Sequence, residues 1–107
     1  MKPKVKPKIE KIVNKEAIVV TLAGQIELPE VRVLDELLDA EDLERDVVIF
    51  DFSQAEYMSS SVLGWLTGFR ARLVADNKRE PILTGCNCNV HHLFDITGLV
   101  SLFQWAD

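Results

Sequence analysis

Three consecutive serines, Ser59 to Ser61, stand between the apolar pair Tyr57-Met58 and a run with helical spacing that starts at Val62. A serine before a helix caps it, because its side-chain oxygen accepts a hydrogen bond from an amide two or three residues further on. One serine is enough for a cap, so the triplet leaves hydroxyls to be accounted for. The amino-terminal end of a helix also stabilises a phosphate through its free amides and its dipole. The triplet is therefore either a cap alone or the site of a phosphorylated serine.

Four potential metal ligands crowd a short segment: Cys86, Cys88, His91 and His92. The cysteines are too close in sequence for the C-x₂₋₄-C pairing of a structural zinc site. Adjacent residues on a helix diverge by about 100°, so the two histidines cannot converge on one ion. We predict no metal and no cofactor.

A hydrolase triad is a second alternative, because His91 and Asp95 share a helix face and a serine could complete the set. No G-x-S-x-G elbow surrounds Ser60, however. Polar pairs at this spacing usually stabilise a helix surface. We therefore predict a protein that is not an enzyme.

Charge is distributed unevenly along the 107 residues, a length that indicates one domain. Residues 1–16 carry six lysines and two glutamates (+4), whereas the remainder carries six basic and fifteen acidic residues (−9). The acidic body argues against a nucleic-acid partner, because phosphate binding needs a cationic surface. Residues 1–8, with their prolines, indicate a basic arm that frays from the domain.

The chain contains no apolar run near the ~20 residues that a membrane span needs, so we expect no direct membrane insertion. No apolar segment follows the first lysines, as it would in a signal peptide. The two cysteines, one residue apart, do not form a disulfide framework. These features favour a reducing, cytoplasmic location.

Strands alternate with helices after an initial hairpin, which indicates an α/β fold with a mixed sheet. The apolar patterns predict strands at 9–13, 17–23, 47–52, 81–84 and 102–103, with the second covered on both sides and ended by Gly24. They predict helices from Pro29, over 60–76 and after Asn87 as cap, the last ended by Gly98. The acidic stretch 39–46 is expected to be a solvated connection.

The helix after the serines has two distinct sides. Its core stripe consists of Val62, Leu66, Phe69 and Leu73, and its opposite side holds small residues, Gly64, Gly68, Ala71 and Ala75. Two glycines inside a helix cost about 1 kcal/mol each relative to alanine. Either another element packs closely there, or the small residues form a docking surface toward which Ser60 projects. Trp65, on the flank of the stripe, either covers the core edge or adds to that surface.

The order VVIFDFSQAEYMSSSVLGWL resembles the central signature of STAS domains of the anti-sigma-factor-antagonist family, in which a strand ending Asp-Leu-Ser leads to an Asp-Ser-Ser-Gly-Leu-Gly turn. TLAGQIELP resembles the early Leu-x-Gly corner of that family. PILTGCNCNVHHLFDITGLVSLF is similar to its last strand, helix and Thr-Gly-Leu corner. The resemblance covers about residues 9–103 and implies a single STAS-like domain over 1–107, with helices mainly on one face of a mixed sheet.

The resemblance also implies partner switching, in which an anti-sigma factor that is also a serine kinase binds the domain and phosphorylates the first serine of the turn. That serine corresponds to Ser60, with Ser59 and Ser61 as alternates. The implied partner surface is the turn and the exposed side of the next helix: Gln54, Met58, Ser59, Ser60, Ser61, Gly64 and Gly68. The turn departs from the family pattern at Ser59, in place of Asp, and at Val62, in place of Gly. Other STAS domains are non-phosphorylated scaffolds or small soluble subunits of lipid-transport ABC complexes, which is the alternative role.

Overall fold

The computed structural model describes residues 6–14, 17–38 and 47–106, and the elements within them alternate as the sequence predicts. The strands are β1 (Lys8–Val13), β2 (Ala17–Ile26), β3 (Val47–Met58), β4 (Ile82–Thr84) and β5 (Gln104–Ala106); the helices are α1 (Leu28–Leu37), α2 (Ser60–Ala75) and α3 (Cys88–Ile96), with a 3-10 turn at Val100–Leu102. Most of the predicted basic arm and the predicted acidic connection (39–46) lie outside the described residues.

The five strands form one mixed sheet in the order β1-β2-β3-β4-β5. β1 pairs with β2 antiparallel, and every later neighbour is parallel. Because each parallel connection steps to the next strand in the same direction, right-handed crossovers place all three helices on one face. The parallel strands β2, β3 and β4 also end at the same edge of the sheet, where the three helices begin.

The core lies between the sheet and the helices. On β2, Ile18, Val20 and Leu22 are fully buried against residues such as Leu66 and Phe94 from the helices. The residues that alternate with them on β2 are only half-buried: Val19, Thr21 and Ala23. The prediction that this strand is covered on both sides is therefore wrong. Its β-branched residues reflect strand propensity on an open face as well as burial.

β3 is twice as long as the sequence predicts. Two bulges interrupt the alternation of buried and exposed residues, so this alternation predicts too early an end for the strand. Opposite the β2 interval Thr21–Ala23, β3 inserts one extra residue, and it inserts another opposite Gly24–Gln25. An inserted residue shifts the side chains that follow to the other face. Inward positions on β3 consequently recur every third residue, at Phe52, Ala55 and Met58. A regular alternation of apolar and polar residues predicts that the strand ends at Phe52, which is where the first bulge begins.

Gly24 does not end β2, contrary to the prediction. It pairs with Ala55 inside the ladder, with φ at 78°, and β2 continues to Ile26. Glycine adopts a positive φ without steric cost, so here it accommodates the irregular pairing beside the second bulge. Gly98 does follow the prediction, since its φ of 73° lies just past the end of α3.

The last strand is displaced from the predicted 102–103. Leu102 belongs to the 3-10 turn, and β5 begins at Gln104, the partner of Ile82. Phe103 is buried, with its ring centroid 5.6 Å from that of Phe94 in an edge-to-face arrangement. The apolar pair at 102–103 thus reflects packing on α3 and not strand pairing.

Candidate functional site

The triple serine emerges at the sheet edge where β2 and β3 end together. Ile26 and Met58 form the last pair of the ladder. The backbone N–H of Ser59 then donates to the carbonyl of Ile26 at 3.0 Å. These contacts fix the start of α2 beside the start of α1, where Glu27 acts as the N-cap.

The three hydroxyls have different environments. Ser59 is the N-cap residue, but its side chain makes no capping bond, and its Oγ is buried without a hydrogen-bond partner among the described residues. Its carbonyl instead accepts the N–H of Val62 at 3.1 Å. Ser60, the first residue of α2, is exposed, and Ser61 is half-buried. The interpretation of the triplet as a side-chain cap is therefore wrong for Ser59, and Ser60 presents the accessible hydroxyl.

The helix stripe follows the prediction. Val62, Leu66, Phe69 and Leu73 are buried, and Gly64, Gly68, Ala71 and Ala75 are exposed. A Cβ placed on Gly64 or Gly68 would meet no atom of the described chain within 4 Å. Internal close packing therefore does not explain the two glycines. They leave a bare, uncovered strip on the same side of α2 as Ser60, which we call the glycine strip (Ser60, Gly64 and Gly68).

Replacing each glycine of the strip with alanine should stabilise the isolated domain. We expect Gly64→Ala and Gly68→Ala each to raise the free energy of unfolding by about 1 kcal/mol, because alanine is the better helix former and the space is open. Urea denaturation monitored by circular dichroism measures this difference. A loss of stability in either variant would show that another part of the chain packs against the strip.

Trp65 closes the core edge beside the glycine strip. Its indole Nε1 donates to Asp35 Oδ1 on α1 at 2.7 Å. Its ring stacks on Phe69 at 5.0 Å and meets the edge of Phe50 at 5.8 Å. A shallow groove of about 200 Å³ lies between α1 and α2, and its lining includes Trp65, the two glycines and Arg72. Trp65 thus both covers the core and forms one wall of the exposed surface.

The other predicted interface residues divide between surface and core. Gln54 is exposed, whereas Met58 is only 1 % exposed and belongs to the core. Met58 therefore offers no exposed side chain to a partner, because the second bulge turns it inward.

The sequence does not predict the exposed apolar side chains around this edge of the sheet. Leu28 at the start of α1 is 66 % exposed, Tyr57 49 % and Ile96 at the end of α3 64 %. Tyr57 and Ile96 line a groove of about 110 Å³ between β3 and α3. These residues lie at element ends, outside any helical stripe, so periodicity gives no signal for them.

The cysteine–histidine segment spans the start of α3, and Cys86, which is half-buried, lies before the helix. Cys88 is the first helical residue and is exposed, as are His91 and His92. The His91 ring lies 5.9 Å from the ring of Trp105. Among residues 6–14, 17–38 and 47–106, no three His, Cys, Asp or Glu side chains are grouped so that they could hold a metal ion. In the same residues, no helix is both long and apolar enough to span a membrane.

The fold and the serine turn identify the class of this protein. The family model of the STAS domain matches residues 8–107, and the chain belongs to that family. No curated protein sequence gives a significant match.

Solved structures share the fold over nearly the whole chain. The anti-sigma factor antagonist SpoIIAA in its unphosphorylated form aligns with a TM-score of 0.74 at 23 % identity, covering 95 % of this chain and 89 % of that one. The Bacillus cell fate determinant SpoIIAA in its phosphorylated form gives 0.68 at 22 %, covering 95 % and 92 %. An anti-sigma factor antagonist from Mycobacterium paratuberculosis gives 0.79 at 17 %, covering 94 % and 85 %. At these identities the likeness establishes the fold, and it confirms the predicted STAS-like mixed sheet.

Proposed function

We propose that this STAS domain is a cytoplasmic anti-sigma-factor antagonist that acts by partner switching. Its partner is an anti-sigma factor that is also an ATP-dependent serine kinase, and the phosphoacceptor is Ser60. The unmodified domain binds the anti-sigma factor and thereby frees the sigma factor, and the phosphate ends that binding. The observation that carries this proposal is the position of Ser60: it is the exposed hydroxyl of the triplet, at the first residue of α2.

The surroundings of Ser60 suit a docking surface. The glycine strip is exposed and uncovered, and Gln54 and Tyr57 on β3 are exposed beside the turn. An aromatic side chain at 49 % exposure provides apolar contact area that a partner can bury. The domain therefore acts by binding, and in the phosphorylation step it is a substrate and not a catalyst.

The departures from the family pattern leave the Ser60 hydroxyl open. Val62 is fully buried in the core, so its side chain packs inward and does not cover the turn. Ser59 places a buried hydroxyl where the family has a carboxylate. In the transfer step the Ser60 oxygen attacks the γ-phosphoryl group of ATP, ADP leaves, and a base of the kinase takes the hydroxyl proton. The product phosphate then faces the free amides and the positive dipole end of α2.

Phosphorylation by the kinase tests this proposal directly. Incubation with ATP and the cognate anti-sigma kinase should add one phosphate to the wild-type domain and none to Ser60→Ala. Intact-mass and peptide mass spectrometry measure the number and position of the groups. Ser101→Ala is the matched control, because Ser101 is an exposed serine in the 3-10 turn and its loss should change nothing. A phosphate on Ser59 or Ser61 would contradict the assignment to Ser60.

One observation favours the alternative role, a STAS module that binds a partner constitutively, such as a small subunit of a lipid-transport ABC complex. Position 59 carries no carboxylate that could orient the Ser60 hydroxyl or help hold the metal of a kinase. In that case the same surface binds its partner without a switch. A domain that stays unmodified by the kinase but co-purifies with a transporter would establish this role.

A further inference from the structure

Asn87 makes two side-chain hydrogen bonds of opposite sense. Its Oδ1 accepts the backbone N–H of Val90 at 3.0 Å and so caps α3. Its Nδ2 donates to the backbone carbonyl of Ala55 on β3 at 2.6 Å. One side chain therefore joins the start of α3 to the segment of β3 that leads into the serine turn.

The position of Ala55 explains why β3 needs this contact. β4 ends at Thr84, which pairs with Asp51, so β4 accompanies β3 no further than Asp51. From Gln54 to Met58, β3 pairs with β2 on one side only, and the second bulge interrupts that ladder between Ala55 and Tyr57. A buried carbonyl must find a donor, and Ala55 is almost fully buried. The amide of Asn87 supplies the donor that a neighbouring strand would otherwise provide.

The chemistry of the contact is selective for asparagine. Aspartate and serine are equally good N-caps, because a cap needs only an acceptor oxygen. Neither can replace the amide, since an ionised carboxylate has no donor and a serine hydroxyl is carried on a shorter side chain. A carboxylate at position 87 would also face the Ala55 carbonyl with like partial charge.

We infer that Asn87 is a positioning residue of the serine turn. By holding the carbonyl of Ala55, it fixes the end of β3 against α3 and sets where Ser59 and Ser60 leave the sheet. The inference rests on the proposed function only for its effect on phosphorylation. The effect of Asn87 on the structure of the turn can be measured without any partner.

Hydrogen exchange of the whole chain tests the structural part. In Asn87→Asp and in Asn87→Ser the cap is kept, so amides of α3 should retain their protection. The Ser59 amide, which donates to Ile26, should exchange about tenfold faster together with other amides of residues 53–60, because a typical hydrogen bond has been lost. Asn89→Asp is the matched control: it places the same charge on an exposed residue in the same turn of α3, and exchange in 53–60 should stay at the wild-type rate. Unchanged exchange in 53–60 in both Asn87 variants would overturn the inference, and so would an equal loss of protection in α3.

The phosphorylation assay with the anti-sigma kinase separates this inference from the proposed function. Asn87→Asp should be phosphorylated on Ser60 several-fold more slowly than Asn89→Asp, and Asn87→Ser should behave like Asn87→Asp. Suppose that hydrogen exchange in residues 53–60 is faster only in the Asn87 variants, but that all three variants are phosphorylated at the same rate. This result would overturn the role of Asn87 in positioning Ser60. A wild-type domain that is never phosphorylated, while 53–60 still responds to Asn87→Asp, would refute the proposed function and support the positioning role.

Discussion

A negative charge at position 60 should remove most of the affinity for the proposed partner, an anti-sigma factor. In Ser60→Asp we expect the dissociation constant to rise by about a hundredfold, or ~2.7 kcal/mol, because the carboxylate would have to lose its water in the interface without a partner cation. Glu27 at the start of α1 lies on the same sheet edge and adds like charge. Isothermal titration calorimetry against the anti-sigma factor measures the change.

The stability of the same variant excludes unfolding as the cause of weaker binding. An acidic side chain in the first turn of a helix is favourable by about 0.3–1 kcal/mol, so Ser60→Asp should be at least as stable as the wild type. Ser101→Asp provides the charge-matched control on an exposed serine outside the turn, and its affinity should be unchanged. If Ser60→Asp binds as tightly as the wild type, the turn is not part of the interface.

The largest effect on stability should come from Gly85→Ala. Gly85 has a φ of 70°, and a Cβ there would lie 2.6 Å from Asp51 Oδ1 and 2.8 Å from the backbone N of Ser53. The same two atoms form the 2.9 Å hydrogen bond that bridges the first bulge of β3. The left-handed backbone alone costs an alanine about 1–2 kcal/mol. With the overlap against backbone added, we expect a loss of about 3 kcal/mol or more.

Gly98→Ala separates the backbone contribution to that loss from the contribution of steric overlap. Gly98 has nearly the same φ, 73°, but a Cβ there meets no described atom within 4 Å. It should therefore lose only the backbone contribution of about 1–2 kcal/mol. Urea unfolding of both variants gives the difference. Equal losses would mean that the contact of residue 85 with Asp51 and Ser53 relaxes freely and contributes nothing.

The parts of the fold that follow from the sequence are those governed by regular periodicity and local chemistry. The stripe from Val62 to Leu73 recurs at helical spacing and is buried. Asn87 caps α3, and Gly98 ends it, because each solves a local backbone problem. The length of β3 did not follow, since bulges at two positions replace a period of two with a period of three.

The same distinction between local sequence pattern and long-range packing applies to the candidate site. The location of the serine turn follows from the motif, and the exposed glycines follow from the helical wheel. Whether each serine hydroxyl is buried or exposed does not follow from the sequence, because it depends on how the bulged end of β3 approaches β2. That approach buries the Ser59 hydroxyl and leaves Ser60 outside. The contact between Asn87 and Ala55, which are far apart in sequence, likewise follows from the path of β3 and from no local pattern.

The long parallel ladder between β2 and β3 also determines when the serine turn can exist during folding. The β1–β2 hairpin is local, since Val13 pairs with Ile18. Pairing of Ala17 with Val47 instead closes a long intervening segment, and such non-local contacts form late because loop-closure entropy must be overcome first. The turn depends on this ladder running to its last pair, Ile26 and Met58. A partner that recognises the turn would therefore recognise chains whose central sheet is complete.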